Sequence, residues 1–316
     1  MGTFLQFYEL SEQPFGFNPD PSFLYETPTL REASASIRRA IELNLGFAAL
    51  IGLPGTGKTS LLVALLRKYA ASSETALILH PHLDQLEIVR YIMRELDLPD
   101  FGQDRVASYV SLRDFVASSA RKGKRVLVVL DEAQETPNAT LEELRLLSNF
   151  ETVNRKTVNV VLSGQPNLAD KLACMDMTAL RQRIPVLARI EPLTGAETAG
   201  YVEHRLHVGG YAGSPIFTER ALQRIHTVSG GIPRSINSIC FNALSLGCAA
   251  GCRVIDIDLL DEVAADLSVA RESGQRSSQP RSKFVDRGRS EEPHAGAVAR
   301  SLLMIADGFV KTKFPL

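Results

Sequence analysis

The eight residues GLPGTGKT, Gly52–Thr59, decide the fold of this chain. They satisfy the pattern G-x-x-x-x-G-K-[ST], in which glycines let the backbone turn tightly and point successive N–H groups at bound phosphates. Lys58 supplies a positive charge for the β- and γ-phosphates, and the Thr59 hydroxyl suits Mg²⁺. The helix that begins here also directs its positive N-terminal end at the anion. We therefore predict a site for ATP and Mg²⁺. Its phosphate-binding loop consists of Gly52, Leu53, Pro54, Gly55, Thr56, Gly57, Lys58, Thr59 and Ser60.

Apolar segments surround this loop in a regular order. An apolar strand pattern precedes it and an amphipathic helix pattern follows it, which makes a chance match less plausible. Short apolar runs without polar alternation are typical of parallel strands covered on both faces. We predict strands at Phe47–Ile51, Leu77–Leu79, Val126–Leu130, Val158–Leu162 and Val186–Ile190. Helical patterns lie between them at Leu61–Tyr69, Leu86–Leu96, Leu112–Ala120 and Leu141–Asn149. Strands and helices in alternation predict an α/β fold with a parallel sheet.

After Leu193 the strand patterns stop. Thr194 and Glu197 have the spacing of a capping box, which predicts a helix running to about His207. Further helical patterns cover Glu219–Val228, Arg234–Leu246 and Ile257–Leu267, so we expect a smaller helical domain. From Arg271 the composition changes to Ser, Arg, Gln, Glu and Pro, which is typical of a disordered tail.

The composition is that of a globular protein. Of the 316 residues, 45% are hydrophobic and 22% charged, and the formal net charge is −1. This balance gives the whole molecule no electrostatic attraction to nucleic acid or to an anionic membrane. The opening sequence MGTFLQFYELSEQPFGF lacks the basic n-region and apolar core of a signal peptide. No apolar run reaches the roughly 18–20 residues that span a bilayer. We therefore expect a cytoplasmic protein without membrane insertion.

The four cysteines carry no pattern of a metal or redox site. Cys174, Cys240, Cys248 and Cys252 form no CxxC pair, and no histidine group accompanies them. We interpret them as small buried hydrophobic side chains, with a metal site as the alternative. Reduced thiols agree with a cytosolic location.

Two acidic residues follow the third predicted strand. Asp131 and Glu132 come directly after Val126–Leu130, and a buried strand delivers such residues to its carboxyl edge, where open α/β sheets bind ligands. Asp131 is the candidate for the Mg²⁺ shell, and Glu132 is the candidate general base that polarises the attacking water. The alternative is an acidic pair that only opens a loop.

Further polar residues fall where they can sense the γ-phosphate. Gln165, with Ser163 in reserve, follows the strand Val158–Leu162, and a plain strand-to-loop turn is the alternative. Arg181 and Arg183 precede the last strand, where an arginine that completes a neighbouring subunit's site would lie; solvated arginines at a helix end are the alternative.

One more arginine belongs to the helical domain. Arg234 lies in the first turn of a helix that Pro233 opens, so it could reach the γ-phosphate when this domain closes over the site. A solvated arginine in a helix first turn is the alternative.

With these motifs placed, the sequence resembles the ExeA-type AAA+ ATPases, the general secretion pathway protein A group, from about Phe7 to Leu267. The segments that carry the resemblance are FYELSEQPFGFNPDPSFLY, LDEAQ, EELRLLSNFET, SGQPNLADKL, LRQRI and SGGIPRSIN. They look like that group's N-terminal signature, Walker B motif and following helix, sensor 1, arginine finger and sensor 2.

The resemblance implies a P-loop NTPase core with sheet order 5-1-4-3-2, a C-terminal helical lid and ATP-dependent self-association. It also implies that Asn18–Tyr25 helps to enclose the adenine base. The corresponding division is an adenine-side segment at 1–30, an ATPase core at 31–193, a lid at 194–269 and a polar tail at 270–316.

Two functions follow from the resemblance. The first is an ATPase that drives or switches assembly with a protein partner. Secretion members of the group continue into a transmembrane helix and a peptidoglycan-binding region, whereas residues from Arg271 onward are polar here.

Related ATPases without that extension resemble transposition helpers of the TniB and MuB kind, which bind DNA and a transposase. The tail carries a modest excess of basic over acidic residues, so the second function is an ATP-gated DNA-binding adaptor. A scaffold that binds ATP without hydrolysis is a third interpretation, which the Asp131–Glu132 pair disfavours.

Overall fold

A parallel five-stranded sheet forms the centre of the molecule. The computed structural model describes residues 4–18, 20–79, 81–152 and 155–276. The strands are β1 Phe47–Gly52, β2 Ser73–Ile78, β3 Arg125–Leu130, β4 Val158–Gly164 and β5 Val186–Ile190. They lie in the order β2-β3-β4-β1-β5, and every neighbouring pair is parallel. This is the expected order 5-1-4-3-2, so the predicted fold is confirmed. A short antiparallel hairpin of Glu151–Thr152 and Arg155–Lys156 precedes β4.

Helices cover both faces of the sheet and form the C-terminal part of the described chain. They are α1 Phe4–Phe7, α2 Pro28–Glu42, α3 Lys58–Tyr69, α4 Gln85–Glu95, α5 Arg105–Arg121, α6 Asn138–Leu147, α7 Pro166–Ala173, α8 Thr178–Arg181, α9 Gly195–Val208, α10 Glu219–Ser229, α11 Pro233–Ala249 and α12 Ile257–Arg276. Single 3₁₀ turns occur at Pro21–Phe23, Ala133–Glu135 and Met175–Met177. Among these helices, none is both long enough and apolar enough to cross a bilayer.

The sheet separates two hydrophobic cores. Alternate residues of β1 point to opposite faces: Phe47, Ala49 and Ile51 join one core, and Ala48 and Leu50 join the other. The first core is completed by α4 to α8 and the second by α2 and α3. Because both faces are buried, the strand sequences show no polar alternation, as expected for a parallel sheet.

Strand β2 and helix α5 are longer than their apolar patterns. The prediction placed β2 at Leu77–Leu79, but it begins at Ser73, and its polar start is tolerated because the Glu74 carboxylate accepts from Lys124 at 2.9 Å. Helix α5 begins earlier because Asp104 caps it, and its first turns carry exposed side chains that hide the periodicity. The patterns also missed α2 and α7 entirely.

Helices α9 to α12 follow the sheet, and we call them the lid. The capping box at its start is present: Thr194 Oγ1 accepts from the Glu197 N–H, and a Glu197 carboxylate oxygen accepts from the Thr194 N–H at 2.9 Å. Proline occupies the first turn of α11, as predicted. The sheet, the N-terminal segment, helices α9 to α11 and the part of α12 up to Ala265 belong to one compact unit, Met1–Ala265.

Residues 4–18, which we call the N-terminal strap, pack on the lid. The Tyr8 hydroxyl donates to the Cys252 carbonyl at 2.8 Å, and the Phe241 ring of α11 contacts two strap phenylalanines edge-on. A Cβ at Gly247 would overlap the Tyr8 hydroxyl, so the glycine allows the close approach. The strap is therefore anchored to the helical part of the molecule rather than to the sheet.

Two of the expected segment boundaries fall inside helices. The boundary at residue 30 lies within α2, because the Thr27 side chain caps the N-terminus of that helix and Pro28 fits its first turn. The boundary at residue 270 lies within α12, which continues to Arg276. The rest of the expected tail, 277–316, lies outside the described residues.

The cysteines are less uniformly buried than we expected. Cys240 is buried and Cys248 is partly buried, but Cys174 and Cys252 are exposed, so the prediction is wrong for these two. A single cysteine is tolerated both in the core and on the surface, and the spacing of cysteines in the sequence does not indicate whether they are exposed. Within the described part of the chain, no group of three or more metal-binding side chains occurs.

Candidate nucleotide site

The phosphate-binding loop connects the buried strand β1 to helix α3. Gly55 and Gly57 have φ angles of 82° and 100°, a region that side chains other than glycine rarely adopt. A Cβ at Gly52 would lie 2.8 Å from Thr56 Oγ1 and 3.0 Å from the Ile190 carbonyl oxygen. Glycine is thus required for the loop's turn and for its contact with β5.

Lys58 lies inside the loop, with 4% of its surface exposed. Its ammonium group donates to the carbonyl oxygens of Gly52 at 2.9 Å and Leu53 at 3.1 Å. Burial lowers the pKa of Lys58, and the charges of Glu132 and Asp131 partly oppose this effect. The carbonyl groups of the loop therefore hold its cation in place.

Asp131 accepts three hydrogen bonds at the carboxyl edge of β3. Thr59 Oγ1 donates to Oδ2 at 2.7 Å, Ser163 Oγ donates to Oδ1 at 2.7 Å, and the Glu132 N–H donates to Oδ1 at 3.0 Å. Asp131 is 4% exposed. A hydroxyl and a carboxylate side by side are hard oxygen donors of the kind that suits Mg²⁺, which keeps most of its other positions for water and phosphate. The residues present therefore fit the expected metal.

Glu132 adopts a left-handed backbone conformation with φ of 51°, which is uncommon for a residue with a Cβ and recurs at active sites. Its Oε2 accepts from Gln134 Nε2 at 2.6 Å and from Gln165 Nε2 at 3.1 Å. Burial raises the pKa of Glu132, but the two amide donors and the charges of Lys58 and Arg234 outweigh it, so the pKa lies below its ordinary value. The structure thus keeps this carboxylate ionised beside the loop.

The two candidates for the sensor contact different acids. Ser163 lies in the last part of β4, is fully buried and donates to Asp131, whereas Gln165 lies after the strand and donates to Glu132. Sequence reasoning assigned no role to Gln134, although its place two residues after Glu132 in LDEAQ was a usable signal. The structure adds Gln134 to the group around Glu132.

The arginines occupy three different environments. The backbone N–H of Arg234 donates to the Gly55 carbonyl at 3.2 Å, which brings the lid into contact with the phosphate-binding loop. Arg183 donates to Asn149 Oδ1 at 2.5 Å, away from the cavity of its own subunit. Arg181 is exposed, and the described residues offer its side chain no hydrogen-bond or ion-pair partner.

A cavity of about 240 Å³ lies between the loop, the lid and the N-terminal region. The seven loop residues from Pro54 to Ser60 line it, together with Glu132 and Arg234. Gly52 and Leu53 do not line it, since their carbonyl oxygens face Lys58. Asn18 and the residues from Asp20 to Tyr25, apart from Pro21 and Ser22, line the other end of the cavity, where adenine was expected.

A polar network joins the strap to two lid helices beside this cavity. Arg205 is 8% exposed, donates through Nε to the Pro14 carbonyl and through Nη1 to the Tyr201 hydroxyl at 2.9 Å, and lies over the Phe23 ring at 4.7 Å. The Tyr201 hydroxyl in turn donates to Asn237 Oδ1 at 2.9 Å. The wall of the cavity is thus shared by segments that are far apart in the sequence.

Comparisons with known proteins agree with this architecture. Residues 41–172 match the AAA domain family. General secretion pathway protein A of Aeromonas hydrophila is 38% identical over 272 residues, which are 86% of this chain and 50% of that protein. Cdc6p from Pyrobaculum aerophilum has a TM-score of 0.61 at 19% identity, covering 77% of this chain and 67% of that chain. The Aeropyrum pernix ORC1 protein in complex with DNA has a TM-score of 0.55 at 17% identity, covering 91% of this chain and 76% of that chain.

The sheet order, the loop and these matches define a P-loop NTPase of the AAA+ class. Within that class, the resemblance to the general secretion pathway protein A group is confirmed by the Aeromonas relative. The chain spans half the length of that relative. The similarity to the two solved structures concerns only the fold.

Proposed function

We propose that the chain binds ATP with Mg²⁺ and hydrolyses it to drive or switch assembly with a macromolecular partner. One observation carries the proposal: Thr59, Asp131 and Glu132 form a hydrogen-bonded group beside the buried Lys58. This group contains each charge that phosphoryl transfer to water requires, namely a cation for the phosphates, oxygen ligands for the metal and a carboxylate base.

Each of the site residues has a separate role in the proposed hydrolysis. The N–H groups of the phosphate-binding loop and the Lys58 ammonium bind the β- and γ-phosphates. Thr59 and Asp131 would hold Mg²⁺, which supplies charge neutralisation between the phosphates. Glu132, kept ionised, accepts a proton from the attacking water. Gln165 has a second amide N–H to donate to that water or to the γ-phosphate, and Arg234 approaches from the lid.

Self-association and the partner belong to the same proposal. Arg181 and Arg183 lie away from the cavity of their own subunit, which suits an arginine that acts on a neighbour. The Aeromonas relative's name favours a protein partner of the secretion type. A cytoplasmic location stays a prediction from the N-terminal sequence.

The second candidate is an ATP-gated DNA-binding adaptor. The observation that favours it is the likeness to an ORC1 protein solved with DNA, together with the basic excess of the tail. Because coupling between two ligands is reciprocal, ATP should then tighten DNA binding and DNA should raise ATP turnover.

Phosphate release with and without double-stranded DNA at low salt tests both candidates. We expect Glu132→Gln to bind ATP like the wild type but to lose at least 100-fold in turnover, because an amide cannot accept the water's proton. Lys58→Ala should lose most ATP affinity, and Lys122→Ala, on the surface after α5, serves as the matched control without effect. Wild-type turnover in Glu132→Gln would refute the assignment of Glu132 as the base.

If DNA does not change ATP turnover and ATP does not change DNA binding, the DNA-binding adaptor is excluded. The ATPase with a protein partner then remains.

A further inference from the structure

Two glutamine amides meet at one oxygen of Glu132. Gln134 Nε2 lies 2.6 Å and Gln165 Nε2 lies 3.1 Å from Glu132 Oε2. Gln165 follows a strand end where a sensor was expected, but Gln134 has no role in the function proposed above. It is 8% exposed, so its amide is used within the protein rather than in solvent.

The chemistry of its partners determines which end of the Gln134 amide faces Glu132. Gln134 Oε1 accepts from the backbone N–H of Gln165 at 3.1 Å. A backbone N–H can only donate, so the oxygen must face it, and the NH₂ group must then face the carboxylate. The reverse orientation would place oxygen against oxygen at 2.6 Å and nitrogen against an N–H. The amide of Gln134 is therefore bonded at both ends: its NH₂ group donates to Glu132, and its oxygen accepts from the Gln165 N–H.

The backbone around Gln134 is supported from helix α7. Lys171 Nζ donates to the Gln134 carbonyl at 3.1 Å and also to the Thr136 carbonyl. Strand β4 leaves room for the side chain, since a Cβ at Gly164 would lie 2.6 Å from Gln134 Oε1. The donor thus has little freedom to move away from Glu132.

We propose that Gln134 is a positioning residue that orients Glu132 towards the attacking water. The inference rests on the proposed function, in which Glu132 is the base. A charge-assisted hydrogen bond from a fixed amide restrains the carboxylate, whose own backbone is in a strained conformation. The base acts only in the transition state, so a residue that positions it affects the rate of hydrolysis more than the affinity for ATP.

Gln134→Met is the main test, because methionine is similar in length and volume but has no N–H donor. We expect kcat to fall by about 10- to 100-fold, with the KM for ATP unchanged within about twofold.

Gln134→Glu is a second variant, in which the size of the side chain is kept. It replaces the N–H donor to Glu132 by a carboxylate oxygen, which repels the Glu132 carboxylate. We expect kcat to fall at least as far as in Gln134→Met, again with the KM for ATP unchanged within about twofold. Gln85→Met is the matched control, since Gln85 donates to the Ala139 carbonyl at 3.3 Å, and it should keep the wild-type kcat and KM.

A wild-type kcat in both Gln134 variants would overturn the inference, and so would a raised KM with unchanged kcat. In both cases Glu132→Gln remains inactive, so the proposed ATPase function stands. Wild-type turnover in Glu132→Gln would instead remove the base assignment and this inference with it.

Discussion

At the scale of single residues, the site contains a buried cation. Lys58 is bonded to two carbonyl oxygens, and burial lowers its pKa. A lowered pKa means that the side chain loses its proton, and with it its charge, at a lower pH than free lysine does. Bound phosphates favour the charged form, so protonation and nucleotide binding are linked.

The affinity for ATP should therefore fall as the pH rises on the alkaline side of neutrality. Above the pKa of Lys58 in the free protein, the dissociation constant should increase by up to about tenfold per pH unit, until the pKa of the bound state is reached. Titration of a fluorescent ATP analogue between pH 7.5 and 10 measures this. Lys58→Met should bind weakly and without this pH dependence, and equal slopes for both proteins would contradict the linkage.

At the scale of elements, the N-terminal strap and the lid form a single packed surface. Sequence periodicity does not identify the strap as part of the lid, because the strap contacts the lid at single positions, such as Gly247 and Phe241, rather than along a periodic apolar face. Gly247 leaves the space that the Tyr8 hydroxyl fills, and this hydroxyl donates to the Cys252 carbonyl. Arg205 joins the strap to α9 in the same way.

Gly247→Ala should lower the free energy of unfolding by about 1–3 kcal/mol, because its new methyl group overlaps a buried ring. Tyr8→Phe alone should cost about 1 kcal/mol through the lost hydrogen bond. In the double variant the hydroxyl is gone and the methyl group has room, so the two costs should not add. Thermal unfolding of all four proteins measures this coupling. Strict additivity would show that the strap does not pack as described.

At the scale of the whole molecule, hydrolysis is expected to depend on a second subunit. Arg183 is bonded to Asn149 of its own chain, Arg181 is exposed, and neither lines the cavity. Either arginine could therefore stabilise the transferring phosphoryl group only in a neighbour's site, which would make assembly a condition of full turnover. Arg183, nearer the strand, is the first choice of finger and Arg181 the second.

Turnover per subunit should rise with protein concentration until oligomers saturate. Arg183→Ala should keep its ATP affinity but lose at least 10-fold in turnover, since its own phosphate-binding loop is intact. Mixed with Lys58→Ala subunits it should regain part of the activity, because some interfaces pair a competent loop with an intact arginine. Arg113→Ala, whose exposed side chain pairs with Asp114, is the control. Concentration-independent turnover without rescue for either arginine would rule out a shared site.

Local signals were sufficient for much of this architecture. The glycine pattern, Lys58 and Thr59 identified the phosphate-binding loop, because the turn geometry and the charge are properties of consecutive residues. Apolar runs located four of the five strands closely, and Asp131–Glu132 were placed at a strand end, since burial on both faces leaves a local pattern. The strand order came from the family resemblance and not from the periodicity, which is the same for every order.

Only the tertiary structure decided which side chains surround Glu132, how the strap is anchored and where Arg183 points. Gln134 and Gln165 are 31 residues apart, and Tyr8 and Cys252 are 244 apart. Such contacts depend on the paths of whole elements and on space left by glycines, neither of which repeats with a helical or strand period. A hydrogen bond between distant segments exists only when both backbones are packed. Sequence alone therefore proposed the candidate reacting groups, and packing determined the groups that hold them in place.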